Sequence, residues 1–459
     1  MIFHQYYLEC LSHASYLIGD EHSGRAVVVD PQRDVAEYLA DAEAAGLTIE
    51  LVLETHFHAD FLSGHLELAD RTGAAIGFSS VAEPEYPIRK LVDGERISLG
   101  EVVLEIRHTP GHTPESMSIV VWEHADDAVP YGVLTGDTLF IGDVGRPDLL
   151  TSVGFTSDDL AEQLYDSLHR QLMTLPDATR VFPAHGAGSA CGKNLSTELT
   201  STIGTQRREN YAVLAPDRAA FVELVTEGQS PAPGYFAHDA ALNKQLRPLL
   251  DEADAPPALA WDAVQQAVAE GALVIDGRDP VEFARGHLRG AINVGLSGRY
   301  AEFAGSIVPN DADIVLFVEP GAELEAKNRL GRIGFDRVVG YVADPYEVLR
   351  AHADQVGIAS RLTPIDLERR RTELDDLQVV DVRAPGEHAL GALPQAVNIP
   401  VGQLPARLGE LNPDRPTVVY CAGGYRSSVA ASLLRTHGFT DVSDLLGGYG
   451  AWAQSGRAA

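Results

Sequence analysis

The chain has 459 residues, 45% of them hydrophobic and 22% charged, and 66 Asp and Glu against 35 Lys and Arg give a formal net charge of −31. That length suits roughly three domains at about 150 residues each, and so negative a chain is expected to repel nucleic acid and anionic membrane surfaces. The opening MIFHQYYLECLSHASYLIGDEHSG has no basic stretch followed by an apolar one, and no run reaches the roughly 20 apolar residues of a membrane span. Three cysteines, Cys10, Cys191 and Cys421, make no disulfide framework. The expectation is a cytoplasmic protein in a reducing compartment, with thiols available for chemistry.

In chain order, residues 1 to about 240 alternate short β-rich runs with loops. RAVVVD, IELVLETH, VVLEIRHTPGH, SMSIVVWE, YGVLTGDTLF and RVFPAHG each read as a strand running into a polar loop. Between them DVAEYLADAEAAG and SDDLAEQLYDSLHRQLMTL space their apolar residues as helices do. Histidines and aspartates recur at the predicted strand ends, where a rigid element aims a loop side chain. His56, His58, Asp60 and His65 fall in THFHADFLSGH, His112 in TPGHTPES, Asp137 in LTGDTLF and His185 in FPAHG. One such histidine is ordinary, but five with two aspartates imply a metal, and imidazole with carboxylate suits zinc, iron or manganese.

DEADAPP at 251–257 reads as a linker, and an internal repeat follows it. VIDGRDPVEFARGHLRGAINV at 274–294 matches VVDVRAPGEHALGALPQAVNI at 379–399, aligning Asp276 with Asp381, Arg278 with Arg383 and Asn293 with Asn398. Each copy is an α/β unit of about 100 residues. In the second copy, VVYCAGGYRSSVAASLL puts Cys421 between a strand and a helix. There Gly423, Gly424, the helix dipole and Arg426 would favour the thiolate. In the first copy Val318 takes the cysteine position and EPGAELE follows, with no cradle arginine.

The metal-ligand pattern resembles the metallo-β-lactamase superfamily, marked by His-x-His-x-Asp-His and then spaced His, Asp and His. The resemblance implies an αββα sandwich over 1–250. Phe61 stands where the two-metal hydrolases of that superfamily usually carry a histidine, which disfavours two zincs. His56, His112 and Asp137 form the two-His, one-carboxylate set that suits Fe(II) with positions left open. THFHADFLSGH, FIGDVGRPDL and AHGAGSACGKNLSTELTSTIGTQRRENY look like the persulfide dioxygenases fused to rhodaneses. By that resemblance His56, His112 and Asp137 hold one Fe(II) per chain. His58, Asp60 and His185 are then orienting residues or additional ligands. Arg146 is a candidate to steady an anionic thiol substrate or, equally, an ordinary ion pair. Cys191 is a candidate for sulfur exchange or a small buried side chain.

The repeat resembles the rhodanese family. Expected domains are an inactive one over 258–355 and an active one over 362–459, in which Cys421 and Arg426 carry a persulfide to an acceptor. The whole therefore reads as an αββα sandwich followed by two α/β domains. The expected activity is oxidation of a small thiol persulfide by O₂ to sulfite and thiol, with sulfur transfer that forms or uses thiosulfate. Homo-oligomerisation is expected. Persulfides of glutathione, coenzyme A, mycothiol and bacillithiol fit these residues equally. The alternatives are a glyoxalase-II-like thioester hydrolase with a sulfur-carrying appendage, and a sulfide-responsive sulfur carrier that needs no metal.

Overall fold

The computed structural model describes residues 1–151 and 154–457. The expected domain spans 1–250 and 362–459 include residues 152–153 and 458–459, which lie outside the described residues. Two compact units form, Met1–Ala232 with Phe236–Leu250, and Pro233–Tyr235 with Asp251–Ala459.

The first unit holds two six-stranded sheets. One runs β1 (Ile2–Leu8), β2 (His13–Asp20), β3 (Arg25–Val29), β4 (Thr48–Leu53), β5 (Ala75–Ser79) and β6 (Arg89–Leu91) in sequential order. The other contains β7 (Arg96–Ser98), β8 (Val103–His108), β9 (Met117–Trp122), β10 (Gly132–Gly136), β11 (Arg180–Pro183) and β12 (Ser201–Thr202), again as sequential neighbours. Alternation along each strand sorts residues between two faces. Tyr16, Ile18, Val27, Val29, Leu51 and Leu53 of the first sheet meet Leu104, Ile106, Ile119, Val121 and Leu134 of the second in one core. The alternate residues Leu17, Val28 and Val52 instead pack with Tyr38, Ala42 and Leu68 of the Ala36–Ala44 and His65–Thr72 helices. Val120, Val133 and Val181 pack with Leu160's neighbours Ala161 and Leu164, and with Ile203 and Phe221, all on helices behind the second sheet. The layering is therefore helix, sheet, sheet, helix.

The second unit repeats an α/β plan. Its first sheet has the order β15 (Ile292–Asn293), β13 (Leu273–Asp276), β16 (Ile314–Phe317), β17 (Val338–Tyr341), all parallel. A short antiparallel pair, β14 (His287–Leu288) with β18 (Val356–Gly357), lies beside it in sequence. The second sheet has the order β19 (Ser360–Leu362), β23 (Val442–Leu445), β22 (Thr417–Tyr420), β20 (Gln378–Asp381), β21 (Val397–Asn398), also parallel throughout. The register is the same in both copies. Asp276 pairs with Phe317 and Asn293, and Asp381 pairs with Tyr420 and Asn398. Among the described residues no helix is long and apolar enough to cross a membrane.

Candidate metal centre and thiol cradle

The sandwich delivers its polar residues at strand ends. β4 runs into Thr55–Asp60, β8 into His112, β10 into Asp137 and β11 into His185. His56, His58, Asp60, His112, Asp137 and His185 are all nearly or wholly buried. Gly145 makes the approach possible, because a Cβ there would overlap the Asp137 carbonyl oxygen and stand 3.1 Å from His112 Nδ1.

Three imidazoles have their tautomers fixed from outside the cluster. Thr55 Oγ1 donates to Asp30 Oδ2 at 2.8 Å, so its oxygen is left to accept from His56 Nδ1 at 3.0 Å. His112 Nδ1 donates to the Arg146 carbonyl at 2.8 Å, and His185 Nδ1 to the Ser12 carbonyl at 3.1 Å. Each Nε2 is thereby turned inward. His112 Nε2 lies 3.5 Å and His56 Nε2 3.9 Å from Asp137 Oδ2, while His185 Nε2 lies 3.5 Å from Asp137 Oδ1. The ligand atoms of His56, His112 and Asp137 all fall within 4.8 Å of one another.

Both Asp137 oxygens are buried without a hydrogen-bond partner among the described residues, as is His185 Nε2. A buried carboxylate in that condition is costly unless a cation neutralises it. Donors about 2.0–2.2 Å from one metal ion sit roughly 3–4 Å from each other, which these spacings match. Burial, and then the neighbouring imidazoles, hold His56 well below the ordinary imidazole range, so its lone pair stays free of a proton. The residues fit a bound metal ion.

His58, Asp60 and His185 form a second set with ligand atoms within 4.8 Å of one another. His58 also faces the other way, with Nε2 3.1 Å from Asp30 Oδ1 and 3.6 Å from Glu54 Oε2. Phe61 is buried against His13 and His58, with ring centroids 3.9 and 4.3 Å away. Cys191 is buried and joins Asp137 and His185 in a third such set. Burial, followed by the Asp60 and Asp137 carboxylates, pushes its thiol well above the usual range. The Arg146 guanidinium grips Asp148 through two 2.7 Å contacts and donates to the Ala190 carbonyl at 3.1 Å. Its backbone carbonyl is the acceptor that holds His112 Nδ1.

Several participants carry no signal in THFHADFLSGH itself. Asp30 closes RAVVVD and accepts from the Thr55 amide at 2.7 Å, so a strand-end rule applied to β3 would have found it. Glu54 follows directly on the apolar end of β4. Asn243, remote in sequence, donates to the carbonyls of His58 and Phe61 at 2.8 Å each and accepts from the Ser63 amide at 3.0 Å. Only the fold reveals it.

The second candidate site lies at the end of β22. Cys421 is buried; the Gly424 amide donates to its Sγ at 3.1 Å, and Ser427 Oγ is 3.6 Å away. Gly424 has φ +114°, a left-handed turn that aims this amide at the sulfur. Arg426 opens the Tyr425–Thr436 helix beside it and forks onto Glu387 at 2.6 and 2.8 Å. Beneath the loop, Asp381 receives Arg383 at 2.7 Å, His388 at 2.8 Å and the Tyr420 hydroxyl at 2.8 Å. Burial alone would raise the Asp381 carboxyl, but these hydrogen bonds outweigh it and hold it below the usual range.

The middle copy keeps the turn and inverts its charge. Gly321 has φ +89° at the position of Gly424, but its amide donates to Glu323 Oε2 at 2.9 Å, and Glu323 stands where Arg426 does. Phe317 and Phe283 replace Tyr420 and His388. Asp276, whose carboxylate receives Arg278 and no other described side chain, is pushed above the usual range by its burial.

Residues 8–185 match the metallo-beta-lactamase superfamily, and residues 260–347 and 363–455 each match the rhodanese-like domain. The mitochondrial persulfide dioxygenase of Bos taurus is 33% identical over 175 residues, which are 37% of this chain and 63% of that protein. The chain thus spans less than two thirds of that dioxygenase. A hydroxyacylglutathione hydrolase of Rhodospirillum rubrum is 32% identical over 279 residues, covering 60% of this chain and 92% of that one. A solved metallo-beta-lactamase from Staphylococcus aureus subsp. aureus COL superposes with a TM-score of 0.66 at 34% identity, over 74% of this chain and 98% of that one.

Proposed function

The chain belongs to the metallo-β-lactamase superfamily and carries two rhodanese-like domains, and from that membership we propose a persulfide dioxygenase joined to a sulfurtransferase. The observation that carries the first half is the convergence of two inward Nε2 atoms on a buried Asp137 carboxylate that finds no hydrogen-bond partner among the described residues. His56, His112 and Asp137 would hold Fe(II), which supplies a place for O₂ and persulfide to meet. Overall, RSSH + O₂ + H₂O gives RSH and sulfurous acid. The S–S bond breaks, and the outer sulfur gives four electrons to O₂. Thr55, the Arg146 carbonyl and the Ser12 carbonyl hold the imidazoles in the lone-pair-inward tautomer. The burial of the set keeps bulk water away from the reacting sulfur.

Cys421 is the proposed nucleophile of the second half. The Gly424 amide donates to its Sγ, and Arg426 of the following helix is held by Glu387. As a persulfide it gives its outer sulfur to sulfite, Cys–S–S⁻ + SO₃²⁻ → Cys–S⁻ + S₂O₃²⁻, or runs in reverse to regenerate persulfide from thiosulfate. A reducing compartment, where small-thiol persulfides persist, suits both halves.

The second reading, a thioester hydrolase, draws on the His58, Asp60, His185 set and on the Rhodospirillum relative. One experiment separates them. Protein purified without oxygen is analysed for metal and then mixed with glutathione persulfide in an O₂ electrode, as wild type and as His112→Ala. About one iron per chain, with uptake lost in the variant, is expected. Two zincs per chain and no uptake, with thioester cleavage instead, would replace the dioxygenase by the hydrolase.

A further inference from the structure

The middle domain has lost every group that could move sulfur, yet its strand-end loop is closely bonded to the helix that carries the cradle arginine. We propose that it is a working part of the sulfur site, and that Tyr425 is the positioning residue through which it sets the Cys421 loop. This rests on the reading of Cys421 as a sulfur-carrying thiolate.

Tyr425 lies between Gly424, whose amide reaches the sulfur, and Arg426. Its hydroxyl does not turn to its own domain. It donates to the Gly295 carbonyl at 2.6 Å, just past β15 of the middle domain. Its ring rests on Gly298, where an added Cβ would come 2.5 Å from Cζ, and faces Phe303 at 5.6 Å between centroids. Further along the same helix Ser428 Oγ donates to Asn293 Oδ1 at 2.6 Å, and Ser432 Oγ accepts from the Asn293 amide at 2.9 Å. Tyr425 is half-buried among these groups, and Ser428 and Ser432 are buried, so little solvent competes for the serine bonds.

Asn293 in turn is fixed from behind. Its Nδ2 donates to the carbonyls of Asp276 and Arg278 at 3.0 Å each. Asn398, its counterpart, makes the same two bonds within the last domain, to the carbonyls of Asp381 and Arg383. Both copies thus keep this clamp, and in the middle copy the remaining Asn293 oxygen holds the neighbour's helix. A chain of bonds runs from the Asp276–Arg278 turn through Asn293 and the Tyr425 helix to the cradle. Three successive residues, Gly424, Tyr425 and Arg426, share one backbone, so moving the middle one displaces the amide and the guanidinium together.

The test uses the full chain as wild type, Gly298→Ala and Tyr425→Phe. Cys421 alkylation by iodoacetamide is followed by peptide mass against pH, and thiosulfate-dependent sulfur transfer is measured in the same preparations. Gly298→Ala, in the domain with no chemistry, is expected to slow Cys421 alkylation at neutral pH about tenfold. It should lower kcat about tenfold with KM nearly unchanged. Tyr425→Phe, which keeps the ring and loses one bond, should shift both the same way by about threefold, and decides the matter alone if Gly298→Ala does not fold. Wild-type alkylation rate and kcat in a folded variant of each kind would overturn the inference and leave Cys421 as nucleophile. A wild-type Cys421 that reacts no faster with iodoacetamide than free cysteine, with no sulfur transfer, would overturn that parent reading, and the inference with it.

Discussion

Asp137 has two buried oxygens with no hydrogen-bond donor among the described residues, and beside it three histidines whose outer nitrogens are already spoken for. Asp137→Asn is therefore expected to abolish metal retention on dialysis while barely altering side-chain volume. Thr55→Val, which removes the group orienting His56, should cost about 10–100-fold in metal affinity, read by competition with a chelator. Cys421→Ser should end sulfur transfer and leave persulfide-dependent O₂ uptake intact. A pH effect follows from Asp381. Its folded carboxyl lies below its unfolded value of about 3.9, so the stability it gives is present above that value and is lost as pH falls through the folded one. Thermal melts of wild type and Asp381→Asn should converge as pH is lowered from 6 towards 3. Residue identity made most of these positions legible, because His and Asp at strand ends have few reasons to be there. What it did not reveal is direction. His58 belongs by motif with His56, yet its Nε2 faces Asp30 and Glu54, and only the path of the Thr55–Asp60 loop decides that.

Strands were legible where alternation or an apolar run met a turn, as in RAVVVD, YGVLTGDTLF and VVYC, and the duplicated α/β plan was legible from its repeat. The supporting contacts were not, since a residue such as Asn243 reaches the His58 loop from nearly two hundred positions away. Loops also hold their ligands by steric allowance that no motif displays. Gly145→Ala would force the loop after β10 off the Asp137 carbonyl, and a loss of metal affinity similar to that of Thr55→Val is expected, with the melting temperature little changed if the loop gives way locally. The middle cradle makes the complementary point. Val318→Cys in a Cys421→Ser background is expected to restore no sulfur transfer, because Glu323 already occupies the Gly321 amide that a thiolate would need. Adding Glu323→Arg should make the new thiol measurably more reactive towards iodoacetamide.

Across the whole molecule, a net charge of −31 surrounds sites proposed to handle persulfide, sulfite and thiosulfate, all anions. Repulsion of this kind slows encounter and is relieved by salt, so kcat/KM for sulfite should rise several-fold between about 10 mM and 200 mM ionic strength. Charge was countable from the sequence, but the bonding of one repeat to the other was not, because Gly295, Gly298 and Ser428 advertise nothing about a neighbour. The shared register of the two copies has a use beyond architecture. Asp276 and Asp381 hold the same backbone places under two different sets of side chains, as do Val318 and Cys421. Temperature, buffer and ionic strength are common to both, so the chain carries its own reference cell. A difference between thiols placed at 318 and 421 would measure what a handful of side chains adds to an unchanged peptide frame.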